Sequence, residues 1–324
     1  MFRWGLIGAG DIARRRVAPA MCDSPACELA AVARGRAELA DEFATAFGAS
    51  RSYGAWQELV RDSGIDGVYI ATPVHLHAAQ TIGAAEAGRH VLCEKPMAMS
   101  VAECDRMIAA CRASGVALGV AYYRHFYPVV ARIKQLIGSG AIGDPVLVHI
   151  NAFEPFDAGP DHPRYWLLKK AQAGGGPMFD FGCHRLEVLL NIFGPVRRAT
   201  GMTANVRYQR EVEDTAIALL QLANGACATI AVTHAAQASR DAVDIYGTQG
   251  SLHVSNLNGG QLHIVAAGGD RQESHPPAEN LHRPLIDDFV DAVSSGREPA
   301  VSGRIGRTVA QLEEEIYGAA MPRR

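Results

Sequence analysis

From residue 2 to about residue 121, short apolar runs alternate with stretches of helical periodicity. Phe2 to Ile7, Glu28 to Ala33, Arg51 to Tyr53, Gly67 to Ala71, His90 to Cys93 and Val116 to Ala121 read as strands. Between them, Asp11 to Met21, Arg36 to Phe47, Trp56 to Arg61, His75 to Ala87 and Val101 to Ala113 read as helices. Ser100 and Glu103 form a capping box at the start of the last of these, and Val101, Cys104, Ile108 and Cys111 give its apolar stripe. Strands alternating with helices predict parallel pairing and a doubly wound sheet.

After residue 122 the rhythm changes. A helix over Val129 to Ile137 leads to a strand over Val146 to Phe153, then to a long polar loop ending in Gly174-Gly175-Gly176-Pro177. One more helix follows, and then strands over Thr215 to Leu222, Ala226 to Thr233, Asp241 to Tyr246 and Ser251 to Val254. Asn224-Gly225 is a strong hairpin signal. Consecutive strands joined by turns predict an α+β region with a large, open, mostly antiparallel sheet. The tail is helical over Pro284 to Val293 and Gly306 to Ala319.

At 324 residues the chain is long for one core, which agrees with two domains, 1–121 and 122–324. A net charge of −3 argues against nucleic acid or an anionic membrane as the main partner. No apolar run reaches the length of a membrane span, and the start lacks the pattern of a secretory leader, so the expectation is a cytoplasmic protein. The seven cysteines are scattered without a C-x-x-C pair, and His75 and His77 stand two apart, not at helical ligand spacing. No metal is expected.

The first strand ends in Gly8-Ala9-Gly10-Asp11-Ile12-Ala13, a G-x-G-x-x-A turn opening a helix. Its first glycine permits a tight turn, its second lets a pyrophosphate approach the backbone, and the helix N-terminus faces the anion. NAD enzymes usually carry an acid about 20 residues on for the ribose 2′-hydroxyl. Here the second strand ends Ala33-Arg34-Gly35-Arg36, so NADP is the expected cofactor, with NAD the alternative. Ala71-Thr72-Pro73-Val74-His75-Leu76-His77 closes the fourth strand, at the sheet end where ligands sit; Thr72, Pro73 and His77 are further cofactor candidates. The fifth strand exits through Glu94-Lys95-Pro96 at the same end. Most lysines are solvated surface groups, but one on a stiff strand exit beside a cofactor is a candidate for proton transfer. Partial burial would lower its pKa towards working pH.

"GLIGAGDIA", "ATPVHLH" and "EKPMAMS", in this order, resemble the Gfo/Idh/MocA oxidoreductases, the glucose–fructose oxidoreductase and inositol dehydrogenase group. The likeness continues through Gly174-Gly175-Gly176-Pro177-Met178-Phe179-Asp180-Phe181-Gly182-Cys183-His184, "GTQGSL" and "RPLIDDFVDAV". The resemblance implies a Rossmann domain followed by a substrate domain, with the tail helices packing back on the first. It implies that Lys95, Asp180 and His184 form the catalytic group, with Glu94 beside the cofactor. It also implies a substrate of the sugar, cyclitol or related diol class and a homodimer, or a higher homo-oligomer, formed through the open sheet. Tyr123 and Arg124 of "AYYRHFYP", and Arg164 and Trp166 of the long loop, are substrate candidates. Two other readings stay open, an NAD-dependent glycoside hydrolase of the same family and a nucleotide-binding regulator without catalysis.

Overall fold

The computed structural model describes residues 1–320. Two compact units divide the chain: Met1–Tyr123 with Ala278–Ala310, and 124–277 with the chain from Gln311.

In the first unit β1 (Phe2–Ile7), β2 (Cys27–Ala33), β3 (Arg51–Tyr53), β4 (Gly67–Ile70), β5 (His90–Cys93) and β6 (Leu118–Val120) form one sheet in the order β3-β2-β1-β4-β5-β6. Every pairing in it is parallel. Order reverses between β1 and β4, so the carboxyl ends of these two strands mark the place where ligands enter such sheets. The connecting helices are α1 (Ala18–Cys22), α2 (Ala37–Phe47), α3 (Trp56–Arg61), α4 (His77–Glu86) and α5 (Val101–Ala113). The helix after β1 departs from regularity. Ala13–Val17 is a π turn running straight into α1, where Ala18 N–H reaches Ala13 O and Pro19 occupies the first turn. Proline cannot donate to the turn before it, and a widened turn relieves its ring. At α5 the Ser100 hydroxyl caps Glu103 N–H, but the Glu103 carboxylate returns to Met99 N–H and not to that of Ser100.

The second unit carries α6 (Pro128–Gly138), β7 (Pro145–Phe153), α7 (Lys170–Ala173) and α8 (Cys183–Phe193). Its sheet continues with β8 (Val196–Ala204), β9 (Thr215–Leu222), β10 (Cys227–Thr233), β11 (Arg240–Gly247), β12 (Ser251–Val254), β13 (Gln261–Ala266) and β14 (Gly269–Ser274). The eight strands run β14-β13-β12-β11-β7-β10-β9-β8, antiparallel except for the β7–β10 pair. The tail forms α9 (Arg283–Ser295) and α10 (Gly303–Ala320); α9 belongs to the first unit, where Phe289 stacks near Trp4 at 5.4 Å.

β9 and β10 are apolar along their length, yet the sheet sorts them by face. Ala216, Ala218, Leu220 and Leu222 are buried, while Ile217 and Leu219 are exposed. The register pairs Met202 with Ile217, and Met202 is exposed as well. Tyr246 of β11 is a fourth exposed large side chain, and the buried neighbour Ile245 points the other way. Ile316 of α10 lies against Gly201, whose partner Ala218 is on the buried side. One face is thus covered within the unit and the other presents Met202, Ile217, Leu219 and Tyr246.

Candidate functional site

Gly8 carries φ of +94°, and a Cβ there would stand 2.7 Å from the Ala71 carbonyl carbon. Only glycine allows β1 to turn so close to the end of β4. A Cβ on Gly10 would meet nothing within 4 Å, so the second glycine borders open space at the helix start. Helical bonding begins with Arg14 N–H to Gly10 O, which leaves the amides just before it directed out of the helix end. The turn fits a dinucleotide pyrophosphate. Asp11 is exposed and lies 3.4 Å from Arg15, one turn on, and Ile12 is half-buried.

Ala33 ends β2 fully buried, while Arg34 is half-buried and Arg36 exposed. Among the described residues neither guanidinium has an ion-pair partner, and no carboxylate stands at the end of β2.

At the end of β4 the Thr72 hydroxyl donates to Gln80 at 2.6 Å and Pro73 precedes a short 3₁₀ turn. His77 is buried, with its ring nitrogens 2.8 Å from Thr72 O and 2.9 Å from Pro96 O. Burial lowers its pKa. His77 therefore bridges the β4 exit and the β5 exit, with each ring nitrogen facing a backbone carbonyl and the single N–H of the neutral ring donating to one of them.

Glu94 is buried beneath Lys95. It accepts from Tyr69 Oη at 2.8 Å and from Lys95 N–H at 3.1 Å, and His282 Nε2 is 3.4 Å away. Burial pushes its carboxyl up, but the His282 hydrogen bond and the charges of His282 and Lys95 outweigh this and hold it below the ordinary range. The half-buried Lys95 thus adjoins a hydrogen-bonded carboxylate that its charge helps to keep ionised. Tyr123 closes this group: its ring stacks on His282 at 4.7 Å and lies under the Arg16 guanidinium at 5.6 Å. Tyr69 and His282 carry no sequence signal; the first reads as a strand core residue and the second lies some 190 positions from its partner, Glu94.

In the second unit, Asp180 and His184 sit one turn apart. The π turn Met178–Gly182 carries Asp180 and leads into α8, which begins at Cys183. His184 is buried, and Asp180 is partly shielded. Glu213 fixes the start of this helix: its carboxylate accepts from Gly176 N–H at 2.8 Å, Met178 N–H at 3.3 Å and Tyr317 Oη at 2.6 Å. Burial pushes its carboxyl up against these bonds. Gly176 has no room for a side chain, because a Cβ would run into the Glu213 backbone oxygen. We expect Glu213→Ala to leave three buried donors unpaired. At about 2 kcal/mol, this should lower the melting temperature by roughly 4–8 °C, measured by calorimetry; an unchanged transition would remove Glu213 from this role.

Arg164 Nη2 lies 3.7 Å from Asp180 and its other arm 3.5 Å from Glu154. Trp166 packs on the small core of Phe156, Leu167 and Leu168. Arg124 is buried and pairs with Asp241 at 3.5 Å, beside Arg185 on the same carboxylate at 2.6 Å. It is engaged inside the second unit, whereas Tyr123 belongs to the first. A cavity of about 1030 Å³ opens beside the long loop, lined by Tyr165, Lys169, Tyr208 and Arg210 among others; Asp180 and His184 are not in its wall.

A parallel nucleotide-type sheet with an open glycine turn and a lysine at a strand exit, and a separate sheet unit carrying an acid and a histidine, define a two-unit dinucleotide-dependent enzyme class. The chain belongs to the GFO/IDH/MocA oxidoreductase family: its NAD-binding Rossmann model matches residues 2–122 and its C-terminal domain model residues 130–253. The 1,5-anhydro-D-fructose reductase of Ensifer adhaerens is 30% identical over 94% of this chain and 92% of its own. The trans-1,2-dihydrobenzene-1,2-diol dehydrogenase of Mus musculus is 31% identical over 85% of this chain and 80% of its own. Among solved structures, a levoglucosan dehydrogenase in complex with NADH and levoglucosan has a TM-score of 0.89 at 27% identity, covering 98% of this chain and 97% of its own. The sequence resemblance to this family is therefore shown, as is the fold class of a Rossmann sheet plus a mostly antiparallel sheet.

Proposed function

We propose that the chain moves a hydride between NADP and a secondary alcohol or carbonyl of a sugar, cyclitol or related diol. The observation that carries this reading is Lys95, whose backbone N–H bonds the buried Glu94 carboxylate and whose charge acts on it, at the same sheet end as the Gly8–Gly10 turn. When bound, the nicotinamide supplies the hydride acceptor or donor. Alcohol oxidation also releases a proton, and carbonyl reduction consumes one. Lys95 polarises or protonates the reacting oxygen, and His184 exchanges the proton near neutral pH. Asp180, held near Arg164, orients the substrate. The relatives reduce or oxidise an anhydro-sugar, a sugar anhydride and a ring diol by their names, which supports this substrate class and speaks for the dehydrogenase over the hydrolase or regulator reading. The preference for NADP is supported by Ala33 in place of an acid and by Arg34 and Arg36 without ion-pair partners; NADH in the levoglucosan dehydrogenase keeps NAD as the alternative. A panel of anhydro-sugars, cyclitols and diols, followed through nicotinamide absorbance, tests the reaction.

The exposed sheet face supports a homodimer. Met202, Ile217 and Leu219 form an apolar strip on the neighbouring strands β8 and β9, and Tyr246 of β11 is a further exposed apolar side chain of the sheet; an isolated copy would leave them in water. Light scattering should give at least twice 34.6 kDa, and Leu219→Asp should shift the mass towards that of one chain. A single-chain mass for the unmodified protein would reject the dimer. Among the described residues no helix is long and apolar enough to cross a membrane.

A further inference from the structure

His234, the first residue after β10, is buried with 1% of its surface exposed. Its Nδ1 faces the Arg210 guanidinium at 2.8 Å. Arg210 is itself anchored by Phe156 O and Glu213 O, each at 3.2 Å. A guanidinium can only donate, so Nδ1 is the acceptor and the proton of the neutral ring sits on Nε2. That Nε2–H is buried and has no hydrogen-bond partner among the described residues. The ring is boxed by Phe156 at 5.2 Å and Phe181 at 5.3 Å. A leucine or phenylalanine would fill such a box but take the acceptor away from the Arg210 arm; the Nδ1 bond accounts for an acceptor there and leaves the Nε2–H unaccounted for. Phe181 adjoins Asp180, whose charge acts on His234. Burial, followed by the Arg210 and Arg164 charges, pushes the imidazole down to about 4 against the opposing pull of Asp180. The ring therefore stays neutral at ordinary working pH and cannot serve as the proton-exchanging group; it remains a fixed donor.

We propose that His234 is a substrate-contact residue, its Nε2–H paired with the Asp180 carboxylate as a donor–acceptor fork for the adjacent oxygens of a diol or hydroxy-ketone. A ligand carbonyl or hydroxyl oxygen accepts from Nε2–H while the neighbouring hydroxyl donates to Asp180. Phe156 and Phe181 supply apolar surface for the carbon face. The inference deepens the proposed function and rests on its reading that the substrate is a sugar or diol.

The test uses two amide variants. His234→Asn keeps an acceptor near the position of Nδ1 and deletes the Nε2 donor; His234→Gln keeps a donor near Nε2. The full-length chain with bound NADPH is titrated calorimetrically with 1,5-anhydro-D-fructose, levoglucosan and trans-1,2-dihydrobenzene-1,2-diol. Melting temperature and NADPH affinity serve as controls for folding. H234N should weaken binding of the best probe roughly ten- to a hundredfold, with H234Q within about threefold of the unmodified chain. Equal binding by H234N, or losses in both variants that follow their melting temperatures, would overturn the contact and leave the reaction standing. Binding by the unmodified chain without hydride transfer would overturn the reaction while the H234N comparison still decides the contact. If none of the three probes binds the unmodified chain, both readings fail.

Discussion

Lys95→Ala should leave folding and nucleotide binding largely intact and remove most turnover, by about 10²- to 10⁴-fold. The backbone of the β5 exit does not depend on this side chain: Glu94 N–H bonds to Ile70 O, and the Glu94 carboxylate is held by Tyr69 and by the Lys95 amide, which alanine retains. What alanine removes is the ammonium proposed to meet the reacting oxygen. It also removes a positive charge that helps keep Glu94 ionised. Glu94→Gln separates the two effects, because it keeps the side chain's shape and one accepting oxygen and deletes the charge. The expected order of activity is unmodified, then E94Q, then K95A. Rapid-quench or steady-state turnover with circular dichroism as the folding control checks this. Turnover by K95A within about threefold of normal would return Lys95 to the status of a surface group.

The nucleotide preference should move by about ten- to a hundredfold when the β2 exit is recharged. Arg34 is half-buried at the end of the strand and its backbone is held by Tyr53 O, so its guanidinium is positioned without being committed to a carboxylate. A 2′-phosphate offers it a charge-assisted partner, and a 2′-hydroxyl does not. Arg34→Ala should therefore weaken NADPH and spare NADH. Ala33→Asp should go further and reverse the preference, since a carboxylate repels the phosphate and accepts from the ribose hydroxyl. Ala33 is buried, so this second variant carries a desolvation cost of its own, and Arg34→Ala is the cleaner reading. Fluorescence titration of both nucleotides checks the pair. Tighter binding of NADH than of NADPH by the unmodified chain would sink the NADP proposal.

The nucleotide half of the fold was legible because its central strands are buried apolar runs and α5 carries a cap and an apolar stripe. Ser100 and the Gly8–Gly10 turn mark local geometry that needs no distant partner. The sheet of the second unit was read less completely. Val196–Ala204, Gln261–Ala266 and Gly269–Ser274 were not predicted as strands, and β8 and β14 are the two edges of that sheet. Edge strands bury little, and "GDRQES" has no apolar alternation to read. Pairing of β7 with β10 in parallel, within a sheet expected to be mostly antiparallel, depends on a contact across some 80 residues and left no local mark.

The site divides in the same way. Residues on motifs, such as Gly8, Lys95, Asp180 and His184, are proposed as site residues from spacing and resemblance. Those that hold the motifs in place were not. Tyr69 and His282 meet at Glu94, Glu213 caps the helix of Asp180, and Arg210 sets the tautomer of His234. Each pairing joins positions far apart in sequence, where neither partner is unusual in its own neighbourhood. Arg124, named as a substrate candidate from the family-like segment "AYYRHFYP", also pairs with Asp241, a partner far along the chain.

The central claim is hydride transfer between a nicotinamide and a sugar or diol. Its most direct measurement is nicotinamide absorbance of the purified chain with NADPH or NADP and the panel of anhydro-sugars, cyclitols and diols, with products resolved by chromatography. The account predicts a loss or gain of reduced nicotinamide in one-to-one proportion to carbonyl reduced or alcohol oxidised, abolished in K95A. Glycoside cleavage with no net nicotinamide turnover, or no turnover with any substrate although nucleotide binds, would contradict it.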